Sequence, residues 1–493
     1  MIRKACVLLF LTFLIALTFS FSIRYWFESS NLNIEVTPSS SYMVETDGSS
    51  VTFEKSTSIK WSRGKVDWVL IKDLKSNEER KILVVGVHDF PPKISINFPT
   101  KVGLGVYHIN ISVKDDWDPK KAIKIEVSLD GEKINEDYIN TFFLHSGSHI
   151  IKVIAQDTFG NLSEVEKKFE VYIGFPPKPQ MIYKEPDSVI FPKKPNLYFL
   201  YPLGIGLVKY VGMISRDTAK IARKIDDFGN LGEVFVIPPV PKNLTPISKK
   251  LVITSVSNNL LLLSGGSPFP IIGKVVLPKD RIIAIGENTH INMTTGQLIV
   301  KGTLLNISSN FSINGGNIKI SDGGQVYLSN GTLNLTLEAD KSDVIFLSNI
   351  KSLKSMKISN TKYVVIENIK LKSLECIECQ GIYFKKSSID ELHVSNSNEV
   401  ILQDSTVNTL SIEDFTKGYI MNSEATTVSI STLSKVLAYR SRMNSVNINS
   451  ASTFMVRESE IEKVSLDGFS LLESYITVFS GKIIKVRSEV IQK

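Results

Sequence analysis

Cysteine and clustered positive charge are scarce in this sequence. Three cysteines among 493 residues are too few for a small scaffold held together by disulfides. The formal net charge of +7 is modest and no basic run accompanies it, so nucleic-acid binding has little support. Hydrophobic residues make up 43% and charged residues 22%, a globular composition that excludes wholesale disorder. The length suits roughly three domains of about 150 residues.

Sequence motifs for catalysis are also missing. The six histidines are scattered, and neither G-x-S-x-G, H-E-x-x-H nor a phosphate-binding loop occurs. We therefore expect no enzymatic activity, no catalytic or metal-binding residues and no cofactor.

A single long apolar run lies near the start of the chain. Two positive charges, Arg3 and Lys4, precede the run from Ala5 to Ile23. This pattern predicts that residues 1–24 are either a secretory signal peptide or an N-terminal membrane anchor. In both cases the remainder is exported. We expect the protein in the cell envelope, membrane-anchored or periplasmic or extracellular, with membrane contact only through this segment.

Proline pairs divide the first half of the chain. The sequence Phe-Pro-Pro-Lys at residues 90–93 recurs at residues 175–178, and proline pairs suit joints because they cannot continue a β-ladder. Apolar and polar residues alternate between the joints, as in half-buried strands. We predict β modules at residues 25–89, 90–177 and 178–241.

The middle module ends in a recognisable hairpin. Residues 151–161 read IKVIAQDTFGN, two strands joined by a Gly-Asn turn. Over residues 93–174 the chain resembles bacterial Ig-like domains, whose closing hairpin typically reads I-x-V-x-A-x-D-x-x-G-N. The resemblance implies a β-sandwich of about seven or eight strands that serves as a spacer or adhesive module and carries no catalytic residues.

A second copy of this turn marks the third module. Residues 228–234 agree with residues 159–165 at six of seven positions. The preceding residues 215–227 also permit an amphipathic helix, because Ile221 and Ile225 fall at helical spacing. The shared turn favours a strand.

An 18-residue repeat fills the second half from residue 346 onward. Each repeat contains the apolar pattern h-x-x-h-x-h, and a companion pair precedes it by seven residues. The first position of the pattern is occupied by Leu353, Leu371, Ile389, Val407, Ala425, Met443 and Ile461. The companion pairs are Phe346/Ser348, Val364/Ile366, Ile382/Phe384, Val400/Leu402, Gly418/Ile420, Val436/Ala438 and Phe454/Val456.

Two more columns share the repeat. One contains Cys379, Ser397, Phe415, Leu433, Ala451 and Phe469, and the other Ser387, Ser405, Ser423, Ser441 and Ser459. A single coil cannot bury its apolar residues, but stacked coils share a continuous core in which like residues meet. The serine column is then a ladder of hydroxyls at an inner corner.

The repeat predicts a parallel β-solenoid at residues 346–493 with an irregular start at residues 242–345. An aliphatic residue at every sixth position, typical of left-handed β-helices, is absent, so we expect a right-handed coil. The fold class is thus all-β, with tandem Ig-like β-sandwich modules followed by a C-terminal right-handed parallel β-solenoid of 18-residue coils. The chain resembles bacterial cell-envelope proteins that combine Ig-like modules with such a solenoid.

An apolar row is the main candidate interaction surface. Its members lie between two inward positions of one strand, so alternation predicts that they point outward. The row consists of Leu347, Val365, Tyr383, Ile401, Tyr419, Leu437 and Met455. It is either covered by the chain itself or used as an intermolecular surface.

Other candidate sites are weaker. Cys376 and Cys379 could form a redox pair or half a zinc site, but both fall in core columns, which favours buried thiols or a local disulfide. Glu413, Asp414 and Glu424 are the nearest approach to stacked carboxylates, and a solvated face explains them better than an active site. A surface turn likewise explains the acidic residues 115–118 better than a calcium site.

These observations together predict a non-catalytic exported envelope protein with a structural or adhesive role. Expected partners are other envelope proteins or further copies of the chain, bound through the solenoid, and polysaccharide is a further option. One alternative is a β-helix polysaccharide lyase or glycoside hydrolase. Another is a glycan-binding module that uses Tyr383, Tyr419, Tyr439 and Tyr475 for stacking.

Overall fold

A computed structural model provides the structure of the chain. It describes residues 21–28, 31–46, 49–61, 66–85, 91–115, 120–157, 161–176, 178–185, 188–191, 197–200, 207–209, 212–216, 220–240, 242–247, 261–264 and 268–492. The chain divides into two compact units. The first ends at Val171 and the second begins at Tyr172, except that Phe142–His145 belong to the second unit.

The first module consists of two antiparallel sheets that enclose one apolar core. Its strands are β1 (Ser22–Glu28), β2 (Asn31–Thr37), β3 (Tyr42–Thr46), β4 (Ser49–Phe53), β5 (Ser56–Lys60), β6 (Val66–Asp73) and β7 (Glu79–Val85). The sheet orders are β1-β2-β5 and β4-β3-β6-β7. Alternate residues of β2, such as Leu32 and Ile34, are fully buried against Val44 and Ile71 of the other sheet. This is the arrangement of a β-sandwich.

The second module has the closing hairpin that the sequence predicts. Its strands are β8 (Lys93–Asn97), β9 (Lys101–Val102), β10 (Val106–His108), β11 (Asn110–Lys114), β12 (Lys124–Leu129), β13 (Glu132–Ile134), β14 (Tyr138–Asn140), β15 (Gly147–Gln156) and β16 (Leu162–Val171), and a 3-10 turn covers Thr141–Phe143. Strands β15 and β16 pair antiparallel within a five-stranded sheet of order β13-β12-β15-β16-β9. Asn161 is tied to Asp157, since its backbone and side-chain amides both donate to the carboxylate.

The third module is also antiparallel. Its strands are β17 (Ile182–Glu185), β18 (Ser188–Ile190), β19 (Leu197–Leu200), β20 (Leu207–Lys209), β21 (Ile214–Ser215), β22 (Lys220–Ile225) and β23 (Leu231–Ile237). Residues 220–225 are a strand, as the shared turn predicts, and not a helix. Asn230 repeats the Asn161 contact, because its amides donate to the carboxylate of Asp226.

The rest of the chain is a single parallel β-solenoid. Its strands are β24 (Thr245–Ile247), β25 (Leu261–Leu263), β26 (Pro268–Pro270), β27 (Gly273–Leu277), β28 (Ile282–Ile285), β29 (His290–Asn292), β30 (Gly296–Val300), β31 (Thr303–Asn306), β32 (Phe311–Ser321), β33 (Gln325–Asp340), β34 (Val344–Lys351), β35 (Ser355–Ser359), β36 (Tyr363–Glu367), β37 (Lys370–Ile377), β38 (Gly381–Lys385), β39 (Ser388–Ser395), β40 (Val400–Gln403), β41 (Thr406–Glu413), β42 (Lys417–Met421), β43 (Glu424–Ile430), β44 (Lys435–Tyr439), β45 (Arg442–Ile448), β46 (Thr453–Arg457), β47 (Glu460–Leu466), β48 (Leu471–Tyr475), β49 (Val478–Phe479), β50 (Ile483–Lys485) and β51 (Glu489–Gln492).

Each solenoid strand pairs in parallel with the equivalent strand one coil later. For residues 364–461 the pairing follows the 18-residue step, for example Leu374 with Leu392 and Leu392 with Leu410. The inward columns therefore meet in one continuous core, and Leu371, Ile389 and Val407 are at most 2% exposed. The solenoid and its 18-residue coil are confirmed.

The serine column forms a ladder of a specific kind. The backbone amide of Ser387 donates to Oγ of Ser405 (3.1 Å), and that of Ser405 donates to Oγ of Ser423 (3.1 Å). Each hydroxyl donates in turn to a carbonyl of its own coil, as Ser405 does to Gln403 (2.8 Å). The hydroxyls thus satisfy buried backbone groups at a corner where the strand pairing is interrupted.

The column that begins with Cys379 differs from the expectation. Cys379 and Ser397 are buried, but Phe415, Leu433 and Phe469 are 65%, 50% and 75% exposed. In these later coils the bend contains two successive residues with positive φ, such as Asp414 (53°) and Phe415 (62°), whereas in the earlier coil only Asn396 has one. The second left-handed residue turns Phe415 outward and brings Thr416 inward, where it accepts the Ser397 amide (3.0 Å).

The predicted export segment lies almost entirely outside the described residues, because description begins at Phe21. The last residues of the predicted segment are already in the first sheet, where Arg24 pairs with Glu35. In the described part of the chain, no helix has the length and apolar character needed to cross a bilayer.

Ser405→Ala tests the ladder. The substitution leaves the buried Ser387 amide without its acceptor, so we expect it to lower the free energy of unfolding of the solenoid by about 1–3 kcal/mol. The matched control is Ser429→Ala, because Ser429 is half-buried on the outer surface of a neighbouring strand. Urea unfolding should show a change of about 0.5 kcal/mol or less for the control. Equal effects would contradict a ladder that bears on stability.

Candidate functional site

The predicted apolar row lies on the outer surface of one series of solenoid strands, which we name the apolar face. Strand pairing joins Val365 to Tyr383, Ile401, Tyr419, Leu437 and Met455 in successive coils. The row also extends towards the N-terminus beyond the regular repeat. Its additional members are Leu262, Ala284, Leu305, Tyr327 and Phe346.

One predicted member of the row is wrong. Leu347 is fully buried inside the solenoid, and Phe346 occupies the outward position opposite Val365. The predicted inward pair Phe346/Ser348 is therefore shifted by one residue. The cause is an extra residue in the bend after β34, where Ser352 has a φ of 65°. This makes the step between the two coils 19 residues, and a shift by one residue reverses the direction of a side chain on a strand.

The third module covers much of the apolar face. Ile221, Val234 and Val236 of β22 and β23 belong to the same buried cluster as the row, and Phe175 packs against it. As a result, Val365, Tyr383 and Ile401 are only 2%, 6% and 4% exposed. The structure thus shows burial within the chain, so these side chains reach another molecule only if the third module moves away. Met455, near the end of the row, is half-buried.

Charged groups surround this contact. Arg223 of β22, itself 5% exposed, donates to the carbonyl of Gly232 (3.1 Å) and pairs with the carboxylate of Glu399 (3.3 Å). Tyr383 donates to the same carboxylate (3.1 Å). Burial, and then the negative charge of Glu399, raise the pKa of Tyr383 well above its ordinary value, so its hydroxyl remains a donor at neutral pH.

A second group of polar interactions between the third module and the solenoid lies beside the interactions of Glu399. The carboxylate of Glu233 on β23 pairs with the ammonium of Lys385 and accepts a hydrogen bond from Nε2 of Gln403 (3.2 Å). Buried ion pairs stabilise little on their own, but they penalise any other register because a displaced charge would be left unpaired. We infer that apolar area supplies the stability of this contact and the charges fix its register.

Ile401→Ala tests whether packing of the third module on the apolar face stabilises the protein. Loss of a buried isoleucine in a packed contact should lower the free energy of unfolding by about 2–5 kcal/mol and reduce hydrogen-exchange protection of β23. The matched control is Leu433→Ala on the exposed bend, expected to change stability by about 0.5 kcal/mol or less. An Ile401→Ala protein as stable and as protected as the control would refute the covering role of the third module.

A second series of strands has a polar outer surface, which we name the polar face. It comprises β35, β37, β39, β41, β43, β45 and β47 together with the second half of β33. Two hollows lie on this face. One, of about 570 Å³, is lined by Glu338, Lys357, Glu375, Glu391 and His393, and we name it the acidic hollow. The other, of about 560 Å³, is lined by Lys354, Lys370, Lys372 and Asp390, together with Asn and Thr side chains, and we name it the basic hollow.

Lysine and glutamate alternate along the column that crosses the acidic hollow, before a histidine in the last of the five coils. Lys319, Glu338, Lys357, Glu375 and His393 occupy the same position in successive coils. Lys357 and Glu375 form an ion pair at 2.9 Å. Alternation places opposite charges directly beside each other, which is the favourable order for paired strands.

The carboxylates singled out from the sequence lie elsewhere. Asp414 and Glu413 accept short hydrogen bonds from Ser395 and Ser411 (both 2.5 Å), and Glu424 pairs across strands with Arg442. The sequence analysis does not predict the acidic hollow, although Glu375 and His393 are 18 residues apart and so occupy the same position of adjacent repeats. Asp390 is part of the basic hollow and accepts a hydrogen bond from Nδ2 of Asn408 (3.1 Å).

Cys376 and Cys379 are joined by a disulfide, and both are buried in the solenoid core. The interpretation as buried structural cysteines is therefore confirmed, and a zinc site would need free thiolates. The acidic residues 116–118 lie outside the described residues. Within the described ranges, no group of three or more potential ligands is placed to hold a metal ion.

The tyrosines considered for glycan stacking do not form an open platform. Tyr383 and Tyr439 are each 6% exposed. Tyr419 is half-buried and packs against the cluster beneath the third module. Tyr475 is half-buried too, and the guanidinium of Arg457 lies over its ring at 4.6 Å. A sugar ring therefore has no stacked aromatic surface in this set.

Comparison with known proteins gives distant likenesses only. No protein-family model and no curated protein matches the chain. Similar solved structures include fibronectin(III)-like modules of CbhA from Clostridium thermocellum, with 18% identity over 29% of this chain and 87% of that one, at a TM-score of 0.19. Another is the three N-terminal domains of the Hoc outer capsid protein of bacteriophage RB49, with 9% identity over 44% and 96%, at a TM-score of 0.20.

A third similar structure is SGBP-B of Bacteroides ovatus in complex with a mixed-linkage heptasaccharide. It is 14% identical over 41% of this chain and 60% of that one, at a TM-score of 0.12. TM-scores this low carry no argument about fold or function. The fold is established by the strand pairing and burial described above.

Proposed function

We propose that this chain is an exported, non-catalytic envelope protein with a structural or adhesive role. In this account the β-sandwich modules serve as spacers, and the solenoid presents its polar face to other components of the envelope. The apolar N-terminal run after Arg3 and Lys4 supports export.

The observation that carries the proposal is that one solenoid face is largely covered by the chain itself, whereas the other is left exposed. Much of the apolar face is buried under β22 and β23, and Arg223 and Glu233 form ion pairs beside the covered part. The polar face keeps exposed or half-buried charged, hydroxyl and amide groups in every coil. Because the third module covers much of the apolar surface, the polar face remains accessible to hydrophilic partners such as polysaccharide or other envelope proteins.

The acidic hollow supports a second candidate function. Glycoside hydrolases use a pair of carboxyl groups, one as acid and the other as base or nucleophile. Glu375 and Glu391 stand on adjacent coils and line the same hollow as His393. This candidate is an enzyme that cleaves polysaccharide on the polar face.

One experiment separates the two functions. We expect the purified protein to sediment with envelope fragments of the cell that makes it, and to release no reducing ends or unsaturated products from acidic or neutral polysaccharides. The double variant Glu375→Gln with Glu391→Gln should remain folded, because the ion pair of Glu375 with Lys357 is surface-exposed and contributes about 1 kcal/mol or less to stability. Product release that this double variant abolishes would establish the enzyme instead. Failure to sediment would remove the adhesive role.

A further inference from the structure

The basic hollow contains lysines stacked on lysines. The backbone amide of Lys372 donates to the carbonyl of Lys354 (2.8 Å), so the two residues occupy the same position in adjacent coils. Coils stack at about 4.8 Å, and both side chains are exposed. Lys370 lines the same hollow. Three lysines therefore line a recess of about 560 Å³, in which the one carboxylate of the lining is Asp390.

These lysines differ from the other charged groups of the polar face. Lys357, in the neighbouring column, is paired with Glu375. Among the described residues, by contrast, Lys354, Lys370 and Lys372 form no ion pair with a carboxylate. Like charges directly opposite each other on paired strands are destabilising. Asp390 follows Lys372 at the same position one coil later and offsets part of this repulsion. An anion placed between Lys354 and Lys372 would relieve the rest.

We infer that the basic hollow binds the anionic groups of an acidic polysaccharide. The inference rests on the proposed adhesive role of the polar face and specifies its ligand. Charge-assisted hydrogen bonds from ammonium groups to carboxylate or sulfate are the strongest contacts that the recess can make.

The surroundings of the lysines favour a polymer that carries hydroxyl groups as well as charge. Thr332, Asn334 and Asn314 line the same recess, and Ser355 and Ser373 stand in the adjacent column. Their hydroxyl and amide groups both donate and accept hydrogen bonds, which suits sugar hydroxyls.

Two other anionic partners fit less well. A nucleic acid without paired strands is held by aromatic side chains on which bases stack, and the described lining of the basic hollow contains none. A flat bilayer surface meets protruding groups more readily than groups in a recess. Both partners are included below as outcomes.

The test compares two matched lysine pairs in the full chain. Lys354→Gln with Lys372→Gln removes two stacked charges from the basic hollow and keeps much of each side chain. Lys417→Gln with Lys435→Gln removes an equivalent exposed pair, also stacked in adjacent coils but on another strand series. Binding to polygalacturonate, with neutral dextran as the uncharged reference, is measured by titration at two salt concentrations.

We expect the wild-type chain to bind polygalacturonate, to bind more weakly at the higher salt concentration and to ignore dextran. The Lys354/Lys372 variant should bind about tenfold more weakly, and the Lys417/Lys435 variant should stay within about twofold of wild type. Equal losses in the two variants, or equal binding to dextran, would overturn the inference. So would binding to phosphatidylglycerol vesicles or single-stranded DNA but not to polygalacturonate.

Failure of this inference is distinguishable from failure of the proposed function. A wild-type chain that sediments with envelope fragments but does not bind polygalacturonate overturns the ligand and leaves the adhesive role in place. A chain that does neither overturns both.

Discussion

Backbone hydrogen bonding from each coil to the next is the interaction on which this structure depends. It places each residue over the residue one repeat later. Residues at the same position of successive repeats therefore stack along the solenoid axis. The core then needs apolar residues at the same offsets in every coil, as at Leu374, Leu392 and Leu410. Where the pairing is interrupted at a corner, buried amides turn to the hydroxyls of the serine ladder.

The same stacking makes the two solenoid faces chemically distinct over their whole length. Outward apolar residues accumulate into one surface too large to leave in water, and β22 and β23 cover much of it. Outward charges accumulate too. In the acidic hollow Lys357 forms an ion pair with Glu375, whereas in the basic hollow Lys372 stands over Lys354. Specificity in such a fold follows from which residue recurs at a given offset, and a single coil cannot provide it.

Sequence alone predicts the columns well where the step is constant. The inward pairs from Val364 onward and the serine ladder follow from the 18-residue period. Errors arise at bends, because one added residue near Ser352 or a second left-handed residue at Phe415 reverses side-chain direction without disturbing the pattern. The sequence leaves open whether the chain itself covers the apolar row or another molecule binds it. A contact between segments far apart in the chain produces no periodic pattern, so the cover by the third module cannot be predicted from the repeat. The sequence shows Lys354 and Lys372 18 residues apart, but it does not show that they line a recess.

Site-directed cross-linking tests coil stacking most directly. Ser429 and Asn447 pair on adjacent coils of the polar face, at a spacing of about 4.8 Å that lies within the Cα range of disulfides. Cysteines at these two positions should oxidise to an intramolecular disulfide, detected by peptide mass. Cysteines at Ser411 and Asn447, two coils apart, should not. A cross-link between the distant pair, with none between the adjacent pair, would contradict the stacked coils.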